Sequence, residues 1–151
     1  MSTICPALPD NSSSSSELWV SRSSDPSAER QQVITFPDIP STAKNCLLNW
    51  TPHNQTLKAS GYGITEVFTV GAPLPATVTS KTIGAIVGET IGSADFSDWV
   101  RQKDAGLQGH LIGGQNCSEE MNFMVQIGGD ADGDVQLQLD GGSGFFLQYD
   151  C

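Results

Sequence analysis

The chain reads as an all-β protein, an antiparallel β-sandwich of jelly-roll type with at most one short helix and two disulfides. Three observations predict it. Short runs rich in β-branched and aromatic residues recur between clusters of Gly, Pro, Ser and Asp. Only 16% of the 151 residues are charged, while 16 are Gly and 8 are Pro, a composition that suits strands and turns better than helices. The four cysteines lack the close spacing of a metal site and suit disulfides instead. The length is that of one domain, able to bury roughly two thirds of its unfolded surface. The expected organisation is a flexible Ser/Pro-rich segment over residues 1–17 and a single sandwich domain over 18–151.

Taken in order, the first 17 residues hold Pro6, Pro9 and the serine run 12–16, too little apolar surface to order a chain. Leu18-Trp19-Val20 and residues 32–36 are the first expected strands, the second closing on Pro37. Residues 46–50 follow, ending at Pro52, and 53–60 read as polar loop. Over 63–70, Ile64, Glu66, Phe68 and Val70 alternate with Thr65, Val67 and Thr69, the period of a half-buried strand. Pro73 and Pro75 stop it, 76–79 resume with similar chemistry, and the glycines of 83–88 imply bulges or close approach of another backbone. Ser93 is placed to cap one short helix over 93–100, with Phe96 and Trp99 on one face. In the last third, 121–127 and 135–139 flank Asp132-Gly133, a hairpin signal, and a Gly-rich turn at 141–144 leads into 145–149. A three-strand meander is expected there, and about nine antiparallel strands in all.

Lys and Arg total 7 against 17 for Asp and Glu, a net charge of −10 that repels a phosphate backbone and anionic lipid alike. Neither nucleic acid nor a membrane surface is an expected partner. No apolar run reaches the length of a membrane span. Cys5, Cys46, Cys117 and Cys151 show no CxxC spacing and only two histidines accompany them, so two disulfides are expected, with three connectivities open. Asn11, Asn49, Asn54 and Asn116 each begin an N-glycosylation sequon, four of the six asparagines where chance in so Ser/Thr-rich a chain gives roughly one. Cysteines and sequons together point to an extracellular or cell-wall location. Met1-Ser2-Thr3-Ile4-Cys5-Pro6 is not a signal peptide, so this expectation carries with it a signal already removed.

The series Val33-Ile34-Thr35-Phe36-Pro37, Cys46-Leu47-Leu48-Asn49-Trp50, Ser60-Gly61-Tyr62-Gly63 leading to Val67-Phe68, and Cys117 through to Tyr149-Asp150-Cys151 resembles a fungal family. It is that of the ubiquitin-three-binding protein C-terminal domain, found in secreted fungal proteins, and the likeness covers residues 30–151. The resemblance implies a β-rich fold, a Cys117–Cys151 bridge and a fungal cell-surface or extracellular setting. It transfers no catalytic residue, and the ubiquitin-like partner is not carried over to a chain with sequons and disulfides. Cys5–Cys46 would follow by elimination. Each of the two closed loops would then stabilise the fold by roughly 4 kcal/mol.

Candidate chemistry is sparse. Asp130, Asp132 and Asp134 have the opening spacing of a calcium loop, but the positions that need Gly and Glu hold Val135 and Gly141, so a plain turn is favoured over a weak cation site. Glu66, Asp95, Asp98, Glu119 and Glu120 offer carboxylates for glycoside hydrolysis without a motif that selects two of them. His53 and His110 lie outside any Ser-His-Asp context; they read as a loop residue and a strand-end residue. No catalytic residue and no cofactor are therefore expected. Trp19, Trp50, Trp99, Tyr62 and Tyr149 are the pool on which a pyranose face could stack, with Trp99, between Asp98 and Arg101, the first choice for an exposed one. The sequence thus predicts a secreted, non-enzymatic fungal glycoprotein of the cell wall or host interface, or alternatively a carbohydrate-binding module. Its expected partner is a polysaccharide or a host or cell-wall protein.

Overall fold

The computed structural model describes residues 2–4, 12–14, 17–51, 57–97, 109–138 and 144–151. Cys5, Asn11, His53, Asn54, Asp98, Trp99 and Arg101 lie outside the described residues. In chain order the strands are β1 (Ser2–Ile4), β2 (Ser12–Ser14), β3 (Glu17–Arg22), β4 (Gln31–Phe36), β5 (Lys44–Thr51), β6 (Leu57–Gly61) and β7 (Ile64–Val70). The helix α1 (Ser80–Gly84) precedes β8 (Val87–Asp95), β9 (His110–Gln115), β10 (Met121–Ile127), β11 (Gly133–Gln138) and β12 (Gly144–Asp150).

These strands form three antiparallel sheets, in the orders β2-β1-β4-β10-β7-β8, β3-β11-β6 and β12-β5-β9. The all-β, antiparallel expectation holds. Within residues 1–17, expected to be flexible, β1 and β2 pair with each other and β1 pairs with β4. One apolar core joins all three sheets: Leu18 and Val20 of β3, Leu48 and Trp50 of β5, Phe123 and Val125 of β10, and Val135 and Leu137 of β11 are all within it.

The expected meander is not formed. β10 pairs with β4 and β7, β11 with β3 and β6, and β12 with β5, so the last three strands enter three different sheets. The composition of β10 explains why. It is central in its sheet and buried on both faces, Met121, Phe123, Val125 and Ile127 toward the main core and Met124 toward a second cluster with Val33, Val70 and Ile83. A strand apolar on both sides needs cover on both, which a hairpin partner in the same sheet does not supply. Asp132-Gly133 serves another purpose. A Cβ at Gly133 would run into the Tyr62 carbonyl oxygen, so the glycine permits β11 to lie close to the end of β6.

The short helix also falls elsewhere. Residues 87–95 are strand, and the helix forms at Ser80–Gly84, where Thr79 and Thr82 make a reciprocal capping box. Its Ile83 is fully buried and covers the second cluster. Residues 57–60, expected as loop, belong to β6, whose modest apolar pattern pairs with β11. Close backbone approach does occur at glycines, though later than expected: a Cβ at Gly92 would meet the Ile112 carbonyl oxygen, and one at Gly113 the Ile91 carbonyl oxygen, so β8 and β9 touch through their backbones.

The disulfide expectation is corrected. Cys46 on β5 bonds Cys117, just ahead of β10, with Cα atoms 5.2 Å apart, and Cys151 is a free, exposed thiol. This is the one disulfide among the described residues, and it replaces both the Cys117–Cys151 and the Cys5–Cys46 pairing. The strand order accounts for the difference: Cys46 faces Gln115 across β5 and β9, which brings the following residues up to it.

Candidate functional site

The outer face of the β3-β11-β6 sheet is where polar and aromatic side chains converge. Leu18 and Val20 point into the core, so Trp19 and Ser21 project outward by the period of the strand. The register places Trp19 beside Gln136 and Lys58 in one row, and Ser21 beside Asp134 and Ser60 in the next. Chain reversal after β3 adds a fourth column. Arg30 pairs with Ser21 through two backbone hydrogen bonds, Arg30 N to Ser21 O at 2.8 Å and Ser21 N to Arg30 O at 3.1 Å. Its guanidinium then reaches diagonally over the indole of Trp19, 3.5 Å from the ring centroid.

The reversal is held locally. Asp25 caps a 3-10 turn at Pro26–Ala28, accepting from Ser27 N at 2.9 Å and Ser27 Oγ at 2.7 Å. Those hydrogen bonds, the hydroxyl first, hold the Asp25 carboxyl below its ordinary value. Ser21 Oγ donates to the Ala28 carbonyl at 2.7 Å, tying the turn to the strand. On the other side, Gln32 is fully buried and its amide takes the place of a neighbouring strand: Trp19 N donates to Gln32 Oε1 at 2.9 Å and Gln32 Nε2 to the Glu17 carbonyl at 3.0 Å. The free edge of β3 is thereby satisfied from β4.

Trp19 is fixed from a third direction. Its Nε1–H donates to Asp134 Oδ2 at 2.8 Å, and Gln136 Nε2 donates to Asp134 Oδ1 at 3.1 Å, so both carboxylate oxygens orient neighbours. Beside this cluster lies a surface groove of about 390 Å³. Trp19, Ser21, Arg30, Ser60 and Asp134 line it, together with Arg22 and Asp132. Gly61 and Gly133 also line it, and a Cβ at Gly61 would meet the Asp132 carbonyl oxygen.

A second groove, of about 320 Å³, is lined mainly by apolar side chains, with Asp38 among them. It lies between the chain at Phe36, Pro37 and Ile39 and the strand β12, at Phe145, Phe146, Leu147 and Tyr149. Phe146 is 38% exposed.

The residues singled out by sequence fall as follows. Trp50 is buried, with ring contacts to Phe96 at 4.4 Å and His110 at 4.9 Å, and His110 opens β9 as a strand-end residue. Asp130 and Asp132 are exposed, while Asp134 belongs to the Trp19 cluster. Among the described residues no three His, Cys, Asp or Glu side chains gather where they could hold a metal ion. Asn116 is exposed. Asn49 is only 7% exposed, inside β5 between two strands, and its Nδ2, the atom a glycan would be joined to, donates to the Leu47 carbonyl at 3.1 Å. Trp19 belongs to the aromatic pool of the sequence, in which Trp99 comes first, and no sequence motif marks Arg30 as its neighbour. The available signal was the alternation Leu18-Trp19-Val20-Ser21, which sets Trp19 opposite two aliphatic residues and so outside.

Compared with known proteins, the chain matches no family model, no curated protein and no solved structure. No helix among the described residues is long and apolar enough to cross a membrane.

Proposed function

We propose that this chain is a secreted, non-enzymatic fungal glycoprotein that acts at the cell wall or host interface by binding saccharide in the groove beside Trp19. The observation that carries the reading is the fixed Trp19 cluster: an indole held by Asp134 and Arg30 beside the outward row Ser21, Asp134 and Ser60. A sugar ring needs an apolar surface for its C–H face and a few oriented polar groups for its hydroxyls, and pre-organised side chains spare the ordering cost of binding. Both oxygens of Asp134 are engaged in orientation, which suits binding better than proton transfer.

The extracellular setting rests on the sequons, of which Asn116 is exposed, on the Cys46–Cys117 bridge, and on the fungal family resemblance. The core shared by three sheets supports a jelly-roll-like sandwich as the finer description of the fold.

A glycan array backed by pull-down on insoluble fungal and plant polysaccharides tests the function. The wild-type protein is expected to be retained on at least one polymer, with Trp19→Ala weakening retention at least about tenfold and Phe146→Ala leaving it unchanged. Absence of retention on every polymer, or equal loss in both variants, would overturn the proposal.

A further inference from the structure

Resting on that saccharide reading, we infer that the groove selects sugars bearing a carboxylate, uronic acid residues, over neutral ones. The chain carries three arginines, Arg22, Arg30 and Arg101, and a net charge of −10, yet two of the three line this one groove. A surface so acidic gains nothing from gathering guanidinium groups at random, and here both line the same cavity.

Their chemistry fits a bound carboxylate. The Arg30 guanidinium carbon lies 3.5 Å from the centroid of the Trp19 indole, and a guanidinium stacked on a ring keeps its in-plane N–H edge for hydrogen bonding. That edge matches the two oxygens of a carboxylate. Arg30 has its ring contact with Trp19, and Asp134, which keeps its charge, turns its two oxygens to Trp19 Nε1 and Gln136 Nε2. Asp132 is the remaining carboxylate of the lining, exposed beside Gly61 and Gly133, where it disfavours a second anion and so limits the site to isolated or spaced acidic sugars.

The matched probe is a short galacturonic acid oligosaccharide against the same oligosaccharide with its carboxyl groups reduced to alcohols, followed by calorimetry. The wild-type protein is expected to bind the acidic form at least about tenfold more tightly, the worth of a charge-assisted bidentate contact, and to lose that margin as salt rises. Arg30→Gln and Arg22→Gln should each shrink the ratio of acidic-form to reduced-form affinity, and Arg30→Lys should restore only part of it. Thermal melting confirms that each variant is folded. Equal affinity for both oligosaccharides would overturn the carboxylate inference and leave saccharide binding standing. Binding of neither, with no other glycan bound, would remove the saccharide reading itself. Tight binding of a poly-glutamate peptide would also overturn the inference, by showing charge attraction without sugar recognition.

Discussion

Two grooves among the described residues are of similar size and differ in how their side chains are held. Around Trp19 each functional side chain is held by another: Asp134 and Arg30 hold the indole, Gln136 holds Asp134, and Gln32 holds the strand beneath them. Among the described residues β12 has one paired neighbour, β5, and the groove is walled by Phe36, Phe145 and Phe146 with no such network of side-chain hydrogen bonds. Hydrophobic burial is non-directional, so the second groove offers adhesion without orientation, whereas the first sets donors and acceptors at defined places. For a polar ligand whose specificity lies in the directions of its hydroxyls, the first groove is the better template.

The largest effect separating them should come from the disulfide. Cys46 and Cys117 are 71 positions apart, and replacing both by Ser should cost about 4 kcal/mol of stability, read as a lowered urea midpoint. Because Cys46 lies on β5, beside β12, local hydrogen exchange should rise first in the β12-β5-β9 sheet. Faster exchange in β3 and β11 before β12 would reverse the comparison.

Gln32→Leu strikes the other side. It removes the side-chain partner of the Trp19 N–H and the Glu17 carbonyl at a partly buried edge, where a group left unsatisfied costs about 1–3 kcal/mol. Saccharide retention should fall together with stability, while fluorescence of a hydrophobic dye on the β12 groove stays as in wild type. Unaltered retention would show that β3 needs no support from β4.

The smallest effect concerns pH. The Asp25 carboxyl is held below its ordinary value of 3.8, mainly by the Ser27 hydroxyl and then the Ser27 N–H. Its contribution to folding is therefore present above 3.8 and lost as pH falls through the lowered value. Asp25 is fully exposed, so Asp25→Ala should scarcely change global stability at neutral pH but loosen the turn that carries Arg30. Unchanged amide exchange across residues 26–30 in this variant would show that the cap does not position Arg30.

The sequence revealed the strands whose patterns are locally complete. The alternation of Ile64 to Val70 and the run Gln32 to Phe36 both emerged as strands, because one face in and one face out, or burial between neighbours, leaves its mark within seven residues. Pairing did not emerge. Asp132-Gly133 between two strand-like runs has the form of a hairpin, but Gly133 is required by its contact with Tyr62, and β10 is apolar on both faces because it lies at the centre of the largest sheet. The helix was misplaced because Ser93 and Thr79 are both acceptable caps, and only Thr79 has a partner three residues on to complete the box. The site was legible only in part: strand alternation exposes Trp19, but its partner Asp134 is 115 residues away, and no local pattern announces that contact. The same holds for Cys46 and Cys117, whose pairing follows from strand order rather than spacing.

The most direct test is a two-dimensional amide NMR titration of the folded chain with a retained oligosaccharide. The Trp19 Nε1–H, fixed at 2.8 Å from Asp134, gives its own indole resonance. That resonance and the amides of Ser21, Ser60 and Asp134 are predicted to shift together and saturate with one binding constant. Shifts confined to residues 36–39 and 145–149, with the Trp19 indole unmoved, would contradict the account.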